Sequence, residues 1–246
     1  MTSQAERGDL PWWSKSRVLR QRTLTAERIV VAALELVDRE GLDGLSMRRL
    51  GTNLGSGATS IYWHVPNKDA LLDLIVDRLL EEAVDSIRRE AGSTWRADLA
   101  AHALAMRVVL ERHAGAATLL GSRVPVGPNG LRFMEGVLGA LARAGFGGRQ
   151  RALAYAALTG YTIGQAVLQS RQPPTTTPDR PTHGDQTQRL GSLLKDAPRG
   201  RFPNVFEGAA DIAALTDKEA FDYGLQRMLD GLEAELRPVN PRRRPF

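Results

Sequence analysis

Between Ala58 and Lys68 the chain sets Thr59, Ser60, Tyr62 and His64 around one aliphatic anchor, Ile61. Hydroxyls, a phenol and an imidazole offer donors and acceptors suited to base edges and phosphates. Arg48, Arg49 and Lys68 flank the segment and supply the positive charge that phosphate contact needs. The sequence contains no nucleotide-binding glycine loop, no nucleophile-elbow pattern and no cluster of metal ligands. An enzyme is therefore the weakest reading, and no catalytic residue, metal ligand or cofactor is expected.

Local signals predict the helices that would present these side chains. Thr25 is an N-cap for a helix in which Ile29, Ala33, Leu36 and Val37 share a face, and Gly41 ends it. Ser46 caps a second helix, Met47 to Leu54, with Leu50 and Leu54 inward. Gly55-Ser56-Gly57 breaks it, and a third helix from Ala58 to His64 follows. Two short helices joined by a glycine-containing turn make a helix-turn-helix, whose second helix enters the major groove of DNA. Ile61 and Trp63 are assigned to the core by their types. Asn67 then caps a helix beginning at Lys68, with Leu72, Ile75, Val76, Leu79 and Ala83 on one stripe and an end near Glu90.

The run Leu42-Asp43-Gly44-Leu45-Ser46-Met47-Arg48-Arg49-Leu50, then Leu54-Gly55 and Ile61-Tyr62-Trp63-His64-Val65-Pro66-Asn67-Lys68-Asp69-Ala70-Leu71-Leu72, resembles the N-terminal domain of the tetracycline repressor (TetR) family. A looser similarity to the family's regulatory domain rests on Trp95, Gly121-Ser122-Arg123, Leu131-Arg132-Phe133-Met134 and Gly145-Phe146. The resemblance implies an all-α protein with a three-helix DNA-binding domain at 25–70 and a larger helical regulatory and dimerisation domain at 71–240. It implies that Arg48 reaches a base or phosphate, that Ala58, Thr59, Ser60, Tyr62 and His64 face the groove, and that Lys68 clamps a phosphate. Ala58 departs from relatives with a polar side chain at that position, so no relative's operator sequence carries over.

The remaining sequence suits that plan. With 246 residues, 42% hydrophobic and 25% charged, the chain is of ordinary globular composition. Its net charge of +5 is modest, but Lys15, Arg17, Arg20 and Arg22 concentrate in a segment 1–24 read as a mobile basic arm. No cysteine is present, which agrees with a cytoplasmic location, and no apolar signal-peptide core interrupts the charged N-terminus. Ala152 to Ser170 lacks charge, yet Thr159, Thr162, Gln165 and two glycines make it a poor membrane span. Helices are expected at Trp95–Arg112, Ala114–Leu120, around Leu131–Leu141, and Arg149–Gln172. A proline-rich loop is expected over 173–203, with a short helix near 190–194. Helical spacing returns with Phe221, Leu225, Met228, Leu229, Leu232 and Leu236. Together with Gly160 and Gly164, four apart on one face, the residues Phe221, Leu225, Met228 and Leu232 suit a four-helix interface across a two-fold axis, although the stripe could equally close its own subunit's core.

A palindromic operator read by a homodimer, and a small-molecule inducer held by the larger domain, complete the expectation. In tetracycline-binding members of the family a histidine stands where this chain has Leu120, and an asparagine where it has His102. Leu120 cannot ligate a hard cation, so a tetracycline–magnesium inducer is not expected. His102 and His113 lie eleven residues apart, roughly 16 Å along a helix, too far to share one ion. Pocket candidates are His102, Met106, Leu120, Arg123, Met134, Leu138, Tyr161 and Gln165. The alternative is a constitutive DNA-binding regulator or architectural protein without an inducer, which a filled C-terminal core would favour.

Overall fold

A computed structural model describes residues 24–88, 92–169 and 197–236, and among them every regular element is helical. The basic arm, the expected short helix at 190–194 and most of the expected loop at 173–203 lie outside the described residues. Helix α1 (Ala26–Glu40) starts where the Arg28 amide donates to Thr25 Oγ1 at 3.2 Å, and stops at Gly41 with φ +74°. Ser46 caps α2 (Met47–Asn53), and Asn67 caps α4 (Lys68–Ser86) by accepting from the Ala70 amide at 2.7 Å. The intervening α3 (Ala58–Tyr62) is two residues shorter than expected, with Trp63 and His64 in the turn that follows.

Four helices build most of the larger unit: α5 (Trp95–Arg112), α6 (Ala117–Ser122), α7 (Pro128–Ala144) and α8 (Gly148–Gln169). A 3-10 turn, Ala114–Ala116, joins α5 to α6 in place of the single helix expected from Ala114 to Leu120. Helix α7 ends at Gly145, in the left-handed region at φ +101°, and Phe146 folds back so that its amide reaches Leu141 O at 3.1 Å. The chain continues through α9 (Pro203–Ala214) and α10 (Asp217–Leu236). Helix α9, which the sequence reading does not anticipate, buries none of its residues although Val205 and Ile212 lie on it.

Buried apolar side chains form one continuous cluster from Ile29 to Leu232, threaded by α4. This helix touches α1 on one side and α5, α6 and α7 on the other. Helix α10 closes that core from the far end. Phe221, Leu225 and Leu232 are buried within their own chain, and Met228 packs half-buried against the same cluster. Within the chain, the i, i+4, i+7, i+11 stripe of α10 packs against α8 and α5. Arg96 of α5 fastens the outer side of α10 through Asp230, Glu233 and Gln226. Gly160 and Gly164, in contrast, are exposed on α8, on a face shared with Leu153, Ala156, Ala157 and Leu168.

Candidate nucleic-acid interface and regulatory core

The presentation of α3 begins with its glycines. Gly55, at φ +62°, turns the chain out of α2, and a side chain at Gly51 would come within 3.0 Å of the Ala58 amide nitrogen. The two helices therefore meet backbone to backbone, and α3 is fixed by just two fully buried side chains, Ile61 and Val65. Everything between and beside those anchors faces outward: Thr59, Ser60, Tyr62, Trp63, His64 and Lys68 are all exposed. Ala58 is half-buried against α2, so it contributes less to this face than the other positions.

Trp63, expected in the core, is instead 85% exposed. In a five-residue helix anchored through Ile61, the position two further on points away from the body, and the type of residue cannot alter that geometry. An indole displayed beside a phenol, two hydroxyls and an imidazole gives the face a large apolar contact that sequence reasoning missed. Its direct neighbours in the sequence, Tyr62 and His64, were the available signal.

The two arginines of α2 divide. Arg49 pairs with Glu40 and donates to Gly44 O at 2.9 Å, which ties α2 to the end of α1. Arg48 has no ion pair among the described residues and lines a polar groove with Leu36, Arg39, Thr52 and Asn53. Lys68, likewise without an ion pair among the described residues, sits at the exposed start of α4. Arg48 and Lys68 are thus exposed cations on α2 and at the start of α4, the two helices that flank α3 in the chain.

Helix α4 leads from this face into the larger unit and is held there by polar ties. Arg123, just past α6, pairs with Asp73 and with Asp69 at 2.6 Å, and donates to the Asp69 carbonyl at 3.1 Å. Burial alone lowers the pKa of its guanidinium, but the two carboxylates outweigh it and raise the value above normal. Arg123 therefore joins helices and is not a free pocket group. One turn further along α4, Asp77 accepts from the Asn129 and Gly130 amides at 2.9 and 3.0 Å, capping α7. Arg132 of α7 meets Asp85 at 2.9 Å.

The proposed pocket residues are only partly assembled. Met106 lines a small apolar recess with Ala103, Phe133, Leu158, Thr159, Thr162 and Ile163, among α5, α7 and α8. About 10 Å³ is open there, room for roughly one water molecule. Both threonine hydroxyls donate to carbonyls of their own helix, to Tyr155 O at 2.9 Å and Leu158 O at 2.8 Å. His102 lies one turn before Met106, its ring edge-on to Phe133 and its Nδ1 2.7 Å from Asp98 O. A carbonyl only accepts, so Nδ1 carries the proton of this contact. Leu120 is buried, while Met134, Leu138 and Gln165 are half-buried on α7 and α8. Tyr161 is engaged elsewhere: its hydroxyl donates to Ala220 O at 3.1 Å and Phe221 O at 2.8 Å, locking α8 to α10. Among the described residues no group of acidic and histidine side chains is arranged to hold a metal ion, and no helix is long and apolar enough to cross a membrane.

Comparison with known proteins decides what this architecture is. Residues 29–75 match the model of bacterial regulatory proteins of the tetR family, and residues 89–236 match that of the tetracyclin repressor-like C-terminal domain. The chain belongs to the TetR family. It is a transcriptional regulator with a helix-turn-helix DNA-binding domain, as the sequence resemblance implied. The HTH-type transcriptional repressor DrrR1 of Streptomyces coeruleorubidus is 35% identical over 215 residues, covering 86% of this chain and 78% of that protein. The class D tetracycline repressor of Escherichia coli is 32% identical over 217 residues, covering 87% and 91%. A crystal structure of the TetR-family protein ActR of Streptomyces coelicolor with actinorhodin superposes with a TM-score of 0.74 at 35% identity, covering 87% and 99%.

Proposed function

We propose that this chain is a homodimeric repressor that binds a palindromic operator and is released by a small molecule. The observation that carries the reading is the joint exposure of Thr59, Ser60, Tyr62, Trp63 and His64 on and just beyond a helix anchored by Ile61. One such helix reaches too few base edges to select a site in a genome, so two copies related by a two-fold axis are required. The charge-free exposed stripe of α8, with Gly160 and Gly164 at its centre, is the surface on which the second copy sits; the glycines allow close backbone approach. Arg48 and Lys68 hold phosphates, while the side chains of α3 read the groove. The protein works in the cytoplasm on double-stranded DNA.

Release follows if a ligand prefers a conformation in which α4 is displaced, since equal affinity for both conformations shifts nothing. The structure of ActR in complex with actinorhodin supports a small-molecule ligand for a protein of this architecture. The recess beside Met106 and Phe133 is where such a molecule would enter, by opening α7 from α8. Its lining favours an uncharged molecule held without metal.

A second reading, a constitutive regulator without inducer, is favoured by the near-filled state of that recess. Selection of operator fragments from genomic DNA, followed by titration at several salt concentrations, tests the shared part: affinity should fall steeply with salt. Absence of any selected sequence would sink both readings. Dissociation of the isolated operator complex by a small-molecule extract then separates the first from the second.

A further inference from the structure

His113, the residue that closes α5, sits at the seam between the DNA-reading unit and the larger one. Its Nδ1 is 2.7 Å from Asp38 Oδ2 of α1, and its Nε2 is 3.2 Å from Glu82 Oε2 of α4. The residue is 9% exposed. Two ionised carboxylates accept and do not donate, so satisfying both contacts at once requires both ring nitrogens to carry protons. The seam is tight at this point, because a side chain on Gly115 would come within 2.5 Å of Val37 O in α1.

We propose that His113 is a proton-operated tie: protonated, it bridges α1, α4 and α5, and on deprotonation it lets go of Glu82 and loosens the seat of α4.

The proton leaves from Nε2 for a geometric reason. Asp38 Oδ2 is the nearer acceptor, and Asp38 Oδ1 is buried without a hydrogen-bond partner, so this carboxylate depends on the Nδ1–H contact. Glu82 has other cations to fall back on. Arg112 meets the same Oε2 at 3.1 Å, and Arg78 meets Oε1 at 3.4 Å. With Nε2 bare, its lone pair faces the Glu82 carboxylate and the contact turns repulsive. The remaining neighbours do not substitute: the 3-10 turn Ala114–Ala116 brings no ionisable group, and α8 has no charged residue after Arg151. Burial by itself lowers the pKa of the imidazole, but hydrogen bonds and charge from Asp38 and Glu82 outweigh it and place the value above 6.5. A folded-state pKa above the unfolded one means the tie contributes fully below pH 6.5 and is lost as the pH rises through the raised value.

Because α4 starts beside the reading helix, a loosened seat broadens the spacing of two reading heads and weakens operator binding. That consequence rests on the homodimeric regulator proposed above; the tie itself does not. The test is an NMR titration of the histidine rings in the full-length protein, assigned with H113Q. The expected result is a His113 midpoint above the ordinary imidazole value of 6.5, with the Glu82 and Ala83 amide shifts following it. In E82Q, whose amide can donate to neutral Nε2, the His113 midpoint falls toward the ordinary imidazole value. Operator affinity of the wild type should drop roughly three- to tenfold more than that of E82Q across this range. A His113 midpoint at or below 6.5, or one unchanged in E82Q, overturns the tie. If no operator is bound at any pH, the regulator reading fails while the ring titration still decides the tie.

Discussion

Arg123 and Asp73 form an ion pair that joins the end of α6 to the first turns of α4, five residues along the helix from the exposed Lys68. The second arm of the same guanidinium meets Asp69 at 2.6 Å, so one side chain grips α4 at successive turns. This ties the end of α6 to α4. Replacing Arg123 with alanine should lower stability by about 1 kcal/mol, since the partners are partly solvated. Urea denaturation would show the loss, and DNA binding without ligand should persist. Release by an active ligand extract should weaken in R123A; full release in that variant would show that coupling takes another route.

Asp77 makes a second grip on α4, of a different kind. Its carboxylate accepts from the first amides of α7, and Gly127 is small because a side chain there would come within 2.2 Å of Asp77 Oδ1. Loss of a cap costs about 0.5–2 kcal/mol, and this one is buried, so Asp77→Ala should fall at the upper end. Gly127→Ala should destabilise as well, by expelling the carboxylate. In the double variant the two losses should be less than additive, because each removes the same contact. Additive losses in thermal unfolding would mean the two positions act separately.

Most of the fold can be read from caps and spacing. Thr25, Ser46 and Asn67 each cap the helix expected to follow them, and Gly41 and Gly145 end theirs. What spacing cannot supply is which partner covers an apolar stripe. The residues Phe221, Leu225 and Leu232 look the same in sequence whether they meet their own subunit or another, and only packing against α8 and α5 distinguishes the two. Helix α9 is hard to see in the sequence because its apolar residues, including Val205 and Ile212, are not buried among the described residues and sit beside a proline-rich stretch. Trp63 shows the converse, since residue type says nothing about direction on a very short helix. In the regulatory core, Arg123 and Tyr161 have the polarity expected of ligand contacts, yet each joins two helices.

Ile61 and Trp63, two positions apart, should therefore respond in opposite ways. Ile61 is 0% exposed, and truncating it to alanine should cost about 2–5 kcal/mol, the usual figure for a large aliphatic core residue. Trp63→Ala should leave stability within about 0.5 kcal/mol, as for surface positions, while lowering operator affinity. Tyr62→Ala and Lys68→Ala should do the same, with Lys68→Ala also reducing the salt dependence of binding. Denaturation and DNA titration on these variants, side by side with the wild type, give the comparison. Unfolding of Trp63→Ala at lower urea would return that side chain to the core.

The exposed stripe of α8 and the buried stripe of α10 can be separated by the same logic. A charge at Leu225, 2% exposed, enters the subunit core, so Leu225→Glu should unfold the chain before any change of assembly can be read. A charge at Gly164 meets open space, because a side chain added there would have nothing within 4 Å of its first carbon in the single chain. Gly164→Glu should therefore fold, retain its helical circular dichroism, and sediment as a monomer if α8 is where two copies meet. Operator affinity should fall with the dimer, because a lone reading head loses the second half-site. A Gly164→Glu protein that still sediments as a dimer would move the interface elsewhere, and the exposed apolar side of α9 would be the next surface to alter.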